Sequence, residues 1–236
     1  MPKTIEIPSP PELGIATVST VEAAAKAIRE LILDGDLAPG TRLRENEFAE
    51  RLGVARHSFR AATQILITEG LLRREPNRGV SVPVFSEEDV RDIFKLRAAL
   101  EIEAVRLVIA EGLVPAEASA AVTELSGLAD DAPWSDVVDP DLRFHRAIID
   151  SAGSRRLLRA YYGLQAEIVL CMVQLQPAYD RPAQVAAEHE ELLGAIEARD
   201  AERAERLWRV HLDEAAANQI KALSTAYTNN EEDNQR

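Results

Sequence analysis

The chain has a single cysteine, Cys171, so it cannot form a disulfide within itself, and the apolar run IVLCMV around that residue marks it as a core thiol. No stretch approaches the roughly 20 consecutive apolar residues needed to span a bilayer. The opening MPKTIEIPSPPELG has no apolar segment of the kind that secretory leaders carry. A cytoplasmic protein with no membrane partner is therefore expected. Aromatic residues make up only 5% of the chain, and no alternation of Val, Ile and Thr persists beyond a few residues, which excludes a sheet-dominated fold. Internal repeats, low-complexity blocks and the HExxH pattern of zinc hydrolases are also missing.

What is present is a helix-forming composition, rich in Ala, Leu, Glu and Arg, with 46% hydrophobic residues over 236 positions, enough for one large domain or two small ones. The net charge of -13 argues at first against a nucleic-acid partner. Its distribution reverses that reading. Residues 1–84 hold 11 basic and 11 acidic side chains, so the whole acidic excess, 29 against 16, lies in 85–236. Residues 51–78 carry Arg51, Arg56, Arg60, Arg73, Arg74 and Arg78 against only Glu69 and Glu75. A local positive patch attracts phosphates whatever the total charge.

Punctuation divides the chain. Residues 1–18 are Pro-rich without helical period, and 227–236 are polar and charged, so both are expected to be disordered tails. Between them, Ser19 or Thr20 caps a helix to about Asp34, Glu45 to Leu52 forms a short helix stopped by Gly53, and a longer helix runs from about Arg56 to Glu69. The segment LLRREPNRGVSVPV has two short β-compatible runs around a PNRG turn and reads as a hairpin. Ser86 followed by Asp89 opens a helix that keeps its apolar face to about Gly112. Further helices are expected near 115–129, 139–152, 154–176, 181–198 and 200–225. The fold class is thus mostly α: a winged helix-turn-helix with a small β-hairpin wing over 19–84, then an all-α bundle over 85–226.

A DNA-reading helix needs cationic or hydrogen-bonding side chains near its N-terminus. Arg56 and Arg60, four apart, share a face, with His57, Ser58 and Gln64 nearby, while Phe59, Ile65 and Leu66 supply a core-facing set. Taken alone, two such arginines also fit an ordinary solvated helix face. The stretch from ILDGDLAPG through Leu43, Phe48, Ala49, Leu52, Gly53-Val54, Arg56, Arg60 and Glu69-Gly70-Leu71 to Asn77-Arg78-Gly79 resembles the winged-helix domain of the GntR family of bacterial transcription regulators. That resemblance implies contacts from Arg56 and Arg60 to bases or phosphates, and a wing carrying Arg78 and Gly79 that approaches the minor groove. His57 and Ser58 are further candidate contacts. The family pattern has serine where this chain has Ala55, which removes a helix cap at about 0.5–2 kcal/mol. It has glutamate where this chain has Ala61, so the face here is more positive.

Three of the four histidines fall in the second half. Asp141 and His145 are an i, i+4 pair on one helix, and His189 and His211 each lie on another, so three helices can bring four ligands to one ion or leave three unrelated histidines. Leu96-Arg97, Leu100-Glu101, Asp141-x-x-Phe144-His145, Glu188-His189, Ala195-Ile196 and His211-Leu212 resemble the FCD domain of the FadR-type subgroup. The resemblance implies that Asp141, His145, His189 and His211 bind one divalent transition metal per chain, with zinc, nickel, manganese and iron all suited to the donor set. A small carboxylate metabolite could chelate that ion, with Arg97 a candidate for its second negative group unless Arg97 pairs with Glu101. Asn218, seven residues after His211, shares its helical face. The expected function is a homodimeric repressor that binds a roughly palindromic double-stranded operator and answers to a small organic or sugar acid. A sensor of the metal itself is the alternative, and a metal-dependent hydrolase a weaker one, because no general base stands beside the ligands.

Overall fold

The computed structural model describes residues 19–233 apart from 34, 76–78 and 175–181, with side chains described as far as residue 224, that of Gln174 excepted. The segment 1–18 and the Pro76-Asn77-Arg78 turn, including the candidate contact Arg78, lie outside the described residues.

The first helix, α1 (Thr20–Leu33), starts where serine can satisfy its free amides. The Glu22 amide donates to Ser19 Oγ at 3.1 Å and the Glu22 carboxylate accepts from the Ser19 amide at 3.1 Å, a reciprocal cap. Ala24, Ala25, Ile28 and Ile32 recur at helical spacing and are buried, and α1 packs against α3 (Arg56–Thr68), which buries Phe59, Ala62 and Leu66. Between them α2 (Glu45–Arg51) contributes Phe48, whose ring lies 6.2 Å from that of Phe59. The hairpin follows as β1 (Arg73–Glu75) and β2 (Gly79–Ser81), antiparallel with Arg73 opposite Ser81 and Glu75 opposite Gly79. The winged helix-turn-helix and its wing are therefore present as the sequence predicts.

The second half is all helical: α4 (Glu87–Ala110), α5 (Ala116–Ser126), α6 (Trp134–Ser151), α7 (Arg155–Gln174), α8 (Pro182–Glu197) and α9 (Ala201–Asp233). The Ser86–Asp89 box caps α4. Two boundaries differ from expectation. Helix α6 begins five residues early and contains Pro140, which sits in its second turn. The turn ahead of Pro140 is held from outside, because Trp134 Nε1 donates to the Met172 carbonyl at 3.1 Å and Val137 is fully buried. Helix α9 continues to Asp233, into the segment expected to be a tail.

Helix α4 lies along α9 and also meets α6 and α7, while α5 packs on α6 and α8. Arg143 of α6 draws in Asp139 together with Glu117 and Glu124 of α5. One apolar core runs from α1 through the wing into α4, α6, α7 and α9. At the junction Arg29 holds Glu69 by two oxygens at 2.8 Å. Gly70, at φ +83, lies so close to α7 that a Cβ there would fall 2.9 Å from Glu167 Cγ. The C-terminal end of α3 thus rests directly on α7. Among the described residues no helix is long and apolar enough to cross a membrane.

Candidate functional site

Helix α3 presents Arg56, His57 and Arg60 to solvent at its N-terminal end. Arg60 is 71% exposed, and its Nε donates to Glu45 Oε2 of α2 at 2.8 Å. That bond, together with the charges of Arg60 and Arg56 and against a small opposing effect of desolvation, leaves the Glu45 carboxyl below its ordinary pKa. Arg60 is therefore pre-oriented by a neighbour on the preceding helix, with its two remaining nitrogens free of that bond. Ala55 occupies the N-cap position with extended backbone and makes no side-chain cap, as its methyl group dictates. Ser58 departs from its predicted role. It is only 7% exposed, because positions 58, 62 and 66 fall on one helical face and Ala62 and Leu66 are fully buried. A serine so placed offers a base little surface. Gly79 is exposed at φ +86 at the start of β2, a backbone position that favours glycine.

In the helical half, Asp141 and His145 of α6, His189 of α8 and His211 of α9 converge, with one ligand atom from each lying within 4.8 Å of every other. All four are buried. The packing that brings them there is aromatic: Phe144 stacks on Trp208 at 5.6 Å and meets the rings of His145 and His189 edge-on. Each histidine has an acceptor at Nδ1. His145 Nδ1 lies 2.7 Å from Glu101 Oε2, His189 Nδ1 2.7 Å from the Val185 carbonyl, and His211 Nδ1 3.1 Å from Glu188 Oε2. An acceptor there places the proton on Nδ1 in the neutral ring and leaves Nε2 as a lone pair.

Those lone pairs have nowhere favourable to go. His145 Nε2 and His211 Nε2 face each other at 3.3 Å, and His189 Nε2 stands 3.3 Å from Asp141 Oδ1. His189 Nε2 and Asp141 Oδ2 are buried without a hydrogen-bond partner. Burial pushes His145 down to about 4 and His211 also downward, so protonation does not relieve the crowding at neutral pH. Burial opposes ionisation of Asp141 as well, and the buried Arg97 charge favours it. Ligands about 2.1 Å from a common ion stand about 3–4.2 Å apart. Three imidazoles locked from behind and one carboxylate, their donor atoms all within 4.8 Å of one another, need only small adjustments to take a divalent cation.

Arg97 of α4 is 2% exposed and donates from Nε to Glu101 Oε1 at 2.7 Å, so the expected ion pair is present. Its Nη2 remains buried without a partner. Asn218 is half-buried, whereas the next residue of α9, Gln219, is 3% exposed and turns further inward. Sequence reasoning named the four clustered ligands but not the outer acceptors Glu188 and Val185, nor the Trp208 indole, which donates to Glu101 at 2.8 Å. Only Glu188, adjacent to His189, left a trace in the motif.

A winged-helix head with an arginine-bearing reading helix, joined to a helical bundle around a buried His/Asp cluster, defines a bacterial transcription regulator. Residues 20–82 match the family of bacterial regulatory proteins of GntR type, and residues 92–214 match the FCD domain. The HTH-type transcriptional regulator BphR of Paraburkholderia xenovorans is 32% identical over 207 residues, 83% of each chain. The HTH-type transcriptional repressor GlaR of Escherichia coli is 32% identical over 198 residues, 77% of this chain and 87% of its own. A solved GntR-type regulator from Rhodococcus sp. RHA1 superposes with a TM-score of 0.73 at 28% identity, covering 87% of this chain and 99% of its own. The chain belongs to the GntR family and carries its FCD domain; like these relatives it is a regulator and not an enzyme.

Proposed function

We propose that this chain is a homodimeric repressor whose hold on a roughly palindromic DNA operator is set by a small organic or sugar acid bound beside a divalent metal ion. Asp141, His145, His189 and His211 hold the ion, which when bound supplies positive charge and open coordination positions for a carboxylate and an adjacent oxygen. Arg97 Nη2 receives the acid's further negative group. On the DNA side, Arg56 and Arg60 read the major groove, His57 assists them, and the wing with Arg78 and Gly79 follows the minor groove. Ser58 drops out of this set because it is buried.

The observation that carries the reading is the convergence of three Nε2 lone pairs and one carboxylate, two of the atoms buried without partners. The repressor assignment is supported by the likeness to GlaR of Escherichia coli, a transcriptional repressor. Elemental analysis of purified protein should find about one divalent ion per chain, lost in His189→Ala or His211→Ala. Wild-type protein that carries no metal and takes none up would refute the site. The sealing of the ligands at 0–6% exposure favours a second reading in which the ion alone is the effector. Release of operator on adding metal or chelator, with no organic acid present, would select it.

A further inference from the structure

Glu101 of α4 is fully buried and serves three partners with its two oxygens: Oε1 accepts from Arg97 Nε at 2.7 Å, and Oε2 accepts from His145 Nδ1 at 2.7 Å and from Trp208 Nε1 at 2.8 Å. It thus touches the residue with the unpartnered Nη2 and one of the four clustered ligands at the same time. Neither contact is peripheral. The indole and Arg97 Nε fix the carboxylate in the plane that His145 needs.

The charges of this buried set can be counted. By formal charge Asp141 and Glu101 contribute two negatives and Arg97, paired with Glu101, one positive, while imidazoles whose Nδ1 faces an acceptor count as neutral donors, so the set without metal is at -1. A divalent ion takes it to +1. A net charge in a dry interior is costly, and one monoanionic carboxylate at Arg97 restores neutrality. Glu188, behind His211, is 22% exposed, so solvent screens part of its charge.

We propose that Glu101 is a positioning residue that links the ion to the anion, so that a carboxylate neutralising Arg97 tightens the metal and the metal tightens the carboxylate. This rests on the metal-and-acid reading above. When Arg97 is neutralised by an anion, Glu101 gives its charge more fully to the His145 N–H, which strengthens that imidazole as a donor. By thermodynamic reciprocity the ion, drawing on Glu101 through His145, leaves Arg97 less compensated and more receptive to an anion.

The test measures Zn2+ affinity by competition with a chromophoric chelator in four full-length proteins. Arg97→Gln lowers the loaded charge from +1 to 0 and should bind Zn2+ at least tenfold more tightly than wild type, although it touches no ligand of the ion. Glu101→Gln should bind about tenfold to hundredfold more weakly. The double variant, which replaces the buried pair by neutral near-isosteres and so protects against a folding artefact, should fall between them. Acetate, a monoanionic carboxylate with no adjacent oxygen to chelate the ion, should tighten Zn2+ on wild type more than on Arg97→Gln. A purely structural role would weaken Zn2+ in every variant. Arg97→Gln binding no more tightly than wild type, Glu101→Gln keeping wild-type affinity, or acetate acting equally on both proteins or on neither would overturn the linkage while leaving the metal site standing. Wild-type protein that takes up no Zn2+ would instead overturn the metal reading and this inference with it.

Discussion

Stripping the ion from the His/Asp cluster should lower the thermal stability of the protein by an amount the geometry bounds. Without metal, Asp141 Oδ2 and His189 Nε2 are buried and unpartnered, and each such atom costs about 1–3 kcal/mol. An ion that satisfies both therefore removes about 2–6 kcal/mol of penalty. Mass action provides an independent figure, since a ligand held 100-fold above its dissociation constant stabilises by about 2.7 kcal/mol. The two ranges overlap. For a chain of this size each kcal/mol moves the midpoint by about 2–4 °C, so Zn2+ at that excess should raise the unfolding temperature by about 5–11 °C. Differential scanning fluorimetry of protein treated with chelator, then titrated with Zn2+, reads the shift directly. His189→Ala, which deletes one ligand and one of the two unpartnered atoms, should unfold near the metal-free wild type and respond to Zn2+ hardly at all. A wild-type protein that binds one Zn2+ per chain yet shifts by less than about 2 °C would refute the argument from unpartnered atoms. So would a His189→Ala variant that shifts as far as wild type.

The metal-free protein should also lose stability in acid: burial holds His145 at about 4, below its ordinary 6.5, so the unfolded chain takes up more protons between those values. Its contribution is complete above about pH 6.5 and is lost as pH falls through about 4, roughly 3 kcal/mol from His145, measurable by urea denaturation across that window. Ala55→Ser, which restores a cap to α3 where the backbone is already extended, should add about 0.5–1 kcal/mol by the same denaturation assay. Arg60→Ala should abolish operator binding in a gel-shift assay while the protein stays folded and its oligomeric state unchanged; undiminished binding would remove α3 from the DNA interface. Glu45→Gln releases Arg60 from its 2.8 Å partner and removes an acidic group from the DNA face, so affinity for random DNA should rise and the ratio of operator to random binding should fall.

Much of this molecule could be read from its sequence because its signals are local. The cap at Ser19, the box at Ser86–Asp89, the uncapped Ala55 and the hairpin around Gly79 are each written within four or five residues, and each stands where the sequence places it. Pro140 shows where local reading fails. A proline argues against helix, but Trp134 anchors the preceding turn to a carbonyl 38 residues away, which no window around Pro140 reveals. Ser58 is a different case. Its spacing to Ala62 and Leu66 sets it on the buried face, a signal masked by its polarity and its two arginine neighbours. The His/Asp cluster divides the same way. The i, i+4 pair Asp141 and His145 declares itself on one helix, whereas the convergence of α6, α8 and α9 depends on the packing of Phe144 against Trp208. Least legible of all was Glu101. In sequence it is the i+4 partner of Arg97 and would pass for an ordinary helix-surface ion pair. Only the tertiary fold seals that pair at 3% and 0% exposure and sets His145 and Trp208 on its other oxygen. Burial is what converts a pairing worth a few tenths of a kcal/mol on an open helix into a charge the interior must compensate. On the proposed linkage, the ion and the anion answer one electrostatic constraint rather than binding as two separate events.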